Sequence, residues 1–325
     1  MKPPIREIAD DFHMITLPMP FSLRQVNVFV LIHDGRVALF DTGLDFPDAY
    51  SALEASFRSL GVRLKDVEHI FLSHFHLDHC GAASRIKEIS GAVIHMSRID
   101  YETMMRYNHD SAHADRVRDF CIQHGFTGDG IEALAESISQ VKTRAVPFEV
   151  EDFLVPHREV ELFDARLEVI PTAGHTRGHV CFFFKELSLL LSGDHILPHM
   201  SPNLSPDLYA PCFSPLEWFM DSLETARTLP VRAVYPAHGM PFSRLEERVK
   251  SIKRYHEERT RLVLDSTVRG PKSAFEITVE LSGGLLQGLD KLLSLNETCA
   301  YLMELERAKK IVGLRKGKTR LFSSV

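Results

Sequence analysis

The sequence is short of several things, and each absence narrows the choice. It has no uninterrupted apolar stretch of the roughly 18 to 20 residues that a membrane span needs. Its first residues, MKPPIREIADDF, carry acidic side chains and prolines where a secretory signal would be apolar, which gives the expectation of a cytoplasmic protein. Cysteine is sparse: Cys80, Cys121, Cys181, Cys212 and Cys299 are odd in number, scattered and without a CxxC pair. That spacing argues against a disulfide framework and fits a reducing compartment. No internal repeat and no low-complexity tract is visible.

What is present is a globular composition, 44% hydrophobic and 25% charged, over 325 residues. That length suits one large domain with a small appendage, or two medium domains. A net charge of −6 argues against the whole chain binding polyanions. The charge is uneven, however. Residues 301–325 hold seven Lys/Arg against two Asp/Glu, net +5, which leaves the first 300 residues at −11 and hints at separate modules.

Along the chain, 26–32 and 37–40 are β-branched runs joined at His33-Asp34-Gly35-Arg36, a hairpin signal. Residues 46–60 carry apolar side chains at helical spacing and stop at Gly61. A short buried strand at 70–73, a helix at 81–89 and a strand at 92–95 follow. Residues 97–142 are polar, rich in His and Arg and helical in character, and read as an insertion. The strand pattern returns at 160–163, 167–171, 180–184 and 187–192. Four prolines (Pro198, Pro202, Pro206, Pro211) make 196–215 an ordered loop. Helices are expected at 216–229 and 244–264 around a strand at 233–235. Two groups of strands with helices around them predict sheet on sheet, covered by helices. Beyond residue 266 three short helical stretches and a basic hairpin at 309–323 predict a small winged-helix-like domain.

The residues with the strongest chemistry are His74-Phe75-His76-Leu77-Asp78-His79, directly after the strand at 70–73. Four potential ligands on a loop between strand and helix suit a divalent cation, since zinc, iron and manganese all accept imidazole and carboxylate. A polar surface turn explains them poorly, because Ile70, Phe71 and Leu72 bury the approach.

This pattern resembles the HxHxDH signature of the metallo-β-lactamase superfamily, and four more stations follow the family's order. Asp41 stands in FDTG, His175 in PTAGHTRGH, Asp194 in LLSGDHIL and His238 in YPAHG. The resemblance covers roughly residues 10–265. It implies an α+β fold, the αββα sandwich of that family, over 1–265, with the insertion at 97–142 and the winged-helix-like domain at 266–325. It also implies two divalent metal ions, with zinc first and iron or manganese as alternatives. One would be held by His74, His76 and His175, the other by Asp78, His79 and His238, with Asp194 bridging and a hydroxide between the metals as nucleophile. Asp78 and Asp41 are the expected catalytic residues, Asp41 by orienting a ligand or the bound water. His179 belongs, by the same resemblance, to packing and hydrogen bonding.

Other residues stay open. Cys80 reads as a small buried side chain rather than a ligand. His195 follows the bridging aspartate and is as suited to substrate contact as to support behind the ligands. His199, Asn203 and Tyr209 lie on the proline-rich loop, where substrate contact and simple stiffening are equal readings. His109, His113 and His124 are expected to be solvated.

The full ligand set, with an aspartate where true β-lactamases of this family carry cysteine or histidine, is similar to the glyoxalase II branch. That implies hydrolysis of a thioester such as hydroxyacylglutathione, or of a related small acyl ester. The tail instead resembles that of the lactamase-β-like hydrolases, some of which cleave single-stranded RNA. The alternative expectation is therefore a phosphodiesterase or endoribonuclease assisted by Lys309, Lys310, Arg315, Lys316, Lys318 and Arg320. A small-molecule substrate is ranked ahead of nucleic acid, no membrane partner is expected, and a homo-oligomer is left open.

Overall fold

The computed structural model describes residues 4–21, 23–128, 130–131 and 147–325. Two sheets lie face to face. One has seven strands in sequence order, β1 (Ile5–Ala9), β2 (Phe12–Pro18), β3 (Gln25–His33), β4 (Arg36–Phe40), β5 (Val67–Phe71), β6 (Val93–Ser97) and β7 (Asp152–Leu154). The other has five, ordered β12 (Ala233–Pro236), β11 (Leu189–Gly193), β10 (Val180–Phe184), β9 (Ala165–Pro171) and β8 (Glu159–Leu162). The predicted hairpin closes on His33 and Arg36 as its last pair. Strands β1 and β2, and the three-residue β7, extend the first sheet beyond what the sequence patterns predicted.

Phenylalanines fill the space between the sheets. Phe12, Phe40 and Phe71 from the first meet Phe182 and Phe184 from the second, with Phe40 and Phe182 rings 5.3 Å apart edge to face. Each is fully or almost fully buried, and each contributes about 1.5–3 kcal/mol by leaving water. Helices cover the outer faces. α1 (Pro47–Ser59) starts with proline, whose fixed φ suits a first turn, and packs Leu53 and Phe57 against the first sheet together with Ile86 of α3 (Ala83–Ser90). Between them lies the single turn α2 (Leu77–Cys80). The arrangement is the αββα sandwich.

The insertion begins as two helices, α4 (Arg98–His109) and α5 (His113–Gln123); residues 132–142 of it lie outside the described residues. The proline-rich loop leads into α6 (Pro215–Arg227), and after β12 comes α7 (Leu245–Val268). The C-terminal part has β13 (Lys272–Ser273), α8 (Ala274–Ser282), α9 (Leu289–Arg307) and the hairpin β14 (Ile311–Lys316)–β15 (Thr319–Ser324). Two helices stand there rather than three short ones, because nothing between 289 and 307 breaks the second: no proline or glycine occurs in it. Helix, short strand, two helices and a hairpin follow the order of a winged helix. Its core is continuous with its neighbour's, since Leu292, Leu295 and Cys299 share one cluster with Leu204, Leu216 and Phe219. Among the described residues no helix is long and apolar enough to cross a membrane.

Candidate metal centre

Strands β4, β5, β9, β11 and β12 all deliver chemistry-bearing residues just past their C-terminal ends. Asp41 follows Phe40, His74 lies three residues beyond Phe71, and His175 four beyond Pro171. Asp194 follows Gly193, and His238 lies two beyond Pro236. The loops converge, and three overlapping groups able to hold a cation result: His74–His76–His175, His74–His79–Asp194 and Asp78–His79–His238.

In the first group His76 Nδ1 lies 3.0 Å from His74 Nε2 and 2.9 Å from His175 Nε2. In the last, His238 Nε2 is 3.3 Å and His79 Nε2 3.6 Å from Asp78 Oδ2. Asp194 faces both. Its Oδ2 is 3.4 Å from His175 Nε2, and its Oδ1 is 3.5 Å from His79 Nε2 and 3.3 Å from His238 Nε2.

Outer hydrogen bonds hold the rings in this orientation. His79 Nδ1 donates to Asp41 Oδ2 at 2.8 Å, while the Ser73 amide and hydroxyl, both 2.8 Å away, donate to the same carboxylate. The Ser73 oxygen in turn lies 3.0 Å from His74 Nδ1 and accepts from it. His175 Nδ1 donates to the Asn203 carbonyl and His238 Nδ1 to the Gln25 carbonyl, each at 2.8 Å. A proton on each outward nitrogen leaves the inward nitrogen with its lone pair, the form in which imidazole binds a cation. Asn27 secures the last loop by donating to the carbonyls of Pro236 and Gly239.

The donors fit a cation on a second ground. His79 Nε2, His238 Nε2 and Asp194 Oδ1 are buried, point at one another and have no hydrogen-bond partner among the described residues. Such orphaned polar atoms are costly unless something charged satisfies them. Imidazole and carboxylate together suit zinc, iron or manganese.

The electrostatics divide the centre. Burial, reinforced by neighbouring imidazoles, holds His74 well below the ordinary histidine value and brings His76 down to about 3. Burial also lowers His175. For His79 burial works against charge, but Asp78, Asp194 and Asp41 together outweigh it and hold the ring well above its ordinary value. His238 is likewise raised against burial by Asp194 and Asp78. The carboxyl of Asp78, though buried, is held down to about 2 by His79 and His238.

Asp100 was not singled out from the sequence. It is fully buried at the start of α4, where Ser97 Oγ caps its amide, and burial pushes its carboxyl up to about 6. It accepts from the Phe75 amide, the Thr176 hydroxyl and the Gly178 amide at 3.3, 2.6 and 2.6 Å, so it ties the loop of His74 and His76 to the loop of His175. A side chain at Gly178 would stand 2.3 Å from Ser97 Oγ, which explains the glycine.

The remaining candidates separate. His179 is buried, 2.8 Å from Thr172 Oγ1 through Nδ1, and accepts from the Asp194 amide through Nε2. His195 is completely buried, edge-on to Phe219, and burial holds it down to about 3. His199 is exposed. Tyr209 lies over the insertion, its hydroxyl donating to Asp110 Oδ2 at 2.9 Å and 2.8 Å from His113 Nδ1. His113 is therefore buried, not solvated as expected, because α5 turns it under the proline-rich loop. From Tyr209 an aromatic row runs through Tyr107 and Phe75 to His76. Cys80 is buried, donates to the Phe75 carbonyl and has its thiol pushed up by burial, as expected of a packing residue. All five cysteines are free.

Known proteins share this frame. The probable metallo-hydrolase YqjP of Bacillus subtilis (strain 168) is 25% identical over 98% of this chain and 99% of its own length. The crystal structure of the metallo-beta-lactamase family protein TTHA1429 from Thermus thermophilus superposes with a TM-score of 0.88 and 26% identity, over 98% of this chain and all of that one. The class B3 di-zinc metallo-beta-lactamase LRA-12 from an Alaskan soil metagenome shares the fold alone, with a TM-score of 0.55 and 17% identity over 79% of this chain and 94% of its own. A sequence model described as Metallo-beta-lactamase superfamily matches residues 22–238. This chain belongs to the metallo-beta-lactamase superfamily, as a metallo-hydrolase.

Proposed function

We propose that the chain is a dinuclear metallo-hydrolase of thioesters or related small acyl esters, with His74, His76 and His175 holding one cation, Asp78, His79 and His238 the other, and Asp194 shared. The observation that carries this reading is Asp194, whose two oxygens face different groups of donors. Two bound divalent cations, zinc first, would make water more acidic and offset negative charge on the attacked carbonyl oxygen.

The chain's own residues do the rest. Asp41 and the carbonyls of Asn203 and Gln25 fix the rings of His79, His175 and His238 before substrate arrives, so no reorganisation is needed during the reaction. The row of Phe75, Tyr107 and Tyr209 offers an apolar wall beside His76 for the acyl or carrier group. The centre's histidines and carboxylates all serve as donors or as their supports. A thiolate, whose conjugate acid has a pKa of about 8.5, leaves without a proton donor, unlike an amine or an alkoxide. That economy favours a thioester.

The RNA alternative gains little from the basic hairpin. Arg320 is paired with Glu306, so part of that charge is already neutralised. The test is turnover by the metal-replete protein of S-lactoylglutathione, acyl-CoA thioesters and a single-stranded RNA oligomer. Thioester hydrolysis that chelation abolishes, and that replacement of Arg315, Lys316, Lys318 and Arg320 by alanine leaves within about twofold, is the expected result. Cleavage of RNA alone would reverse the assignment.

A further inference from the structure

His175 is supported by the proline-rich loop, and that loop is held by the C-terminal helix. The Asn203 carbonyl accepts from His175 Nδ1, while the side chain of the same residue reaches the other way: Nδ2 donates to the Leu293 carbonyl of α9 at 2.8 Å. Its Oδ1 accepts from the Ser205 hydroxyl at 2.7 Å, and that hydroxyl accepts from Asn296 Nδ2, again on α9, at 3.3 Å. Two residues earlier Ser201 Oγ lies 2.6 Å from His256 Nε2, whose Nδ1 is 2.8 Å from the Tyr301 hydroxyl, one more α9 residue. Between them Leu204 is completely buried in the cluster that contains Leu292 and Leu295. The Leu293 carbonyl, the Asn296 side chain and, through His256 of α7, the Tyr301 hydroxyl thus fix a stretch of five loop residues. The middle residue of that stretch touches the ligand.

We propose that α9 sets the position of His175, with Asn203 as the positioning residue, so that the C-terminal part of the chain is a structural component of one metal site and not of the other. The inference rests on the metallo-hydrolase reading of the centre. Among the described residues the second donor group has no such link: its supports are Asp41, just past β4, and the Gln25 carbonyl of β3. A ring held by a backbone carbonyl is only as well placed as the backbone, and losing a support of this kind costs about 10- to 100-fold in metal affinity. Asn203→Ala keeps the carbonyl but cuts both side-chain tethers, and Ser205→Ala cuts the second alone.

The experiment is a cobalt(II) titration of the metal-free full chain, followed by visible absorption, for wild type, Asn203→Ala and Ser205→Ala. Each is also made with Asp78→Ala, which leaves the His74–His76–His175 group as the one measured. The expected result is two equivalents in wild type and a roughly 10- to 100-fold loss at one of them in Asn203→Ala. The loss persists beside Asp78→Ala, is smaller in Ser205→Ala, and leaves the unfolding midpoint of the metal-free protein close to wild type. Affinities within about twofold of wild type in Asn203→Ala would overturn the positioning role and leave the metal reading intact. Equal weakening at both sites, or a matching drop in the metal-free midpoint, would overturn it in favour of a general packing role. If Asn203→Ala does not fold, Ser205→Ala decides by the same criteria. Wild type that takes up no cobalt would sink the metal reading itself, and this inference with it.

Discussion

The two halves of the centre are built from similar residues and behave oppositely. His74, His76 and His175 are imidazoles alone, and burial among one another strips them of protons. Asp78, His79 and His238 include a carboxylate and face Asp194, so their rings are held protonated above the ordinary histidine value. A few ångströms separate them, and the placement of Asp78 and Asp194, with Asp41 behind His79, decides the difference. Ligand count alone therefore says little about how a site meets its ion; what matters is whether the donors must first give up protons.

The largest effect that would sharpen this contrast comes from Asp78→Ala. It removes the carboxylate from one half only, and should cut hydrolysis by about 10³-fold, since a Lewis-acidic ion contributes several kcal/mol at the transition state. Bound metal should fall from two equivalents to one by elemental analysis, with circular dichroism unchanged; normal turnover would break the two-ion account. Asp41→Asn comes next. Asparagine tolerates the left-handed backbone at this position (φ 55°), so the fold should survive. The amide no longer offers His79 a charged acceptor, and affinity at that half should drop about 10- to 100-fold, with a smaller drop at the other half, which Asp41 reaches only through Ser73 and His74. Chelator competition reads both affinities, and an equal drop at both would erase the distinction between the halves. The smallest effect is on protons. Raised histidines in the second half must deprotonate to bind, so its affinity should fall as pH drops through neutrality, by up to about tenfold per unit for each proton released. The first half, already neutral there, should stay flat over the same range. Calorimetric titrations in buffers of different ionisation enthalpy count those protons, and equal release on filling the two sites would contradict the division.

Much of this was legible in the residues. The hairpin at His33–Arg36 announced itself through a turn between two β-branched runs, and the His74–His79 cluster through its position after a buried strand. Strands β1 and β2 were harder, because IREIA and FHMITLP mix charged, aromatic and apolar residues without a clean period of two. The burial of His113 depends on Tyr209, nearly a hundred residues away, and no local pattern reports such a partner. The supports of His175 and His238 are backbone carbonyls, which any residue type supplies. Asn203 was noticed for its loop, yet its part in the fold lies in its main chain facing one way and its side chain the other.

The strand ends have a consequence of a different kind. Because the first chemistry-bearing residue of each loop is counted off from the last residue of a strand, the chain carries five short rulers, from one residue (Phe40 to Asp41) to four (Pro171 to His175). Length is unforgiving inside a ruler and cheap outside it. The segment between α4 and β7 lies outside every ruler, so a change in its length alters what stands over the centre and leaves the reactive floor unchanged.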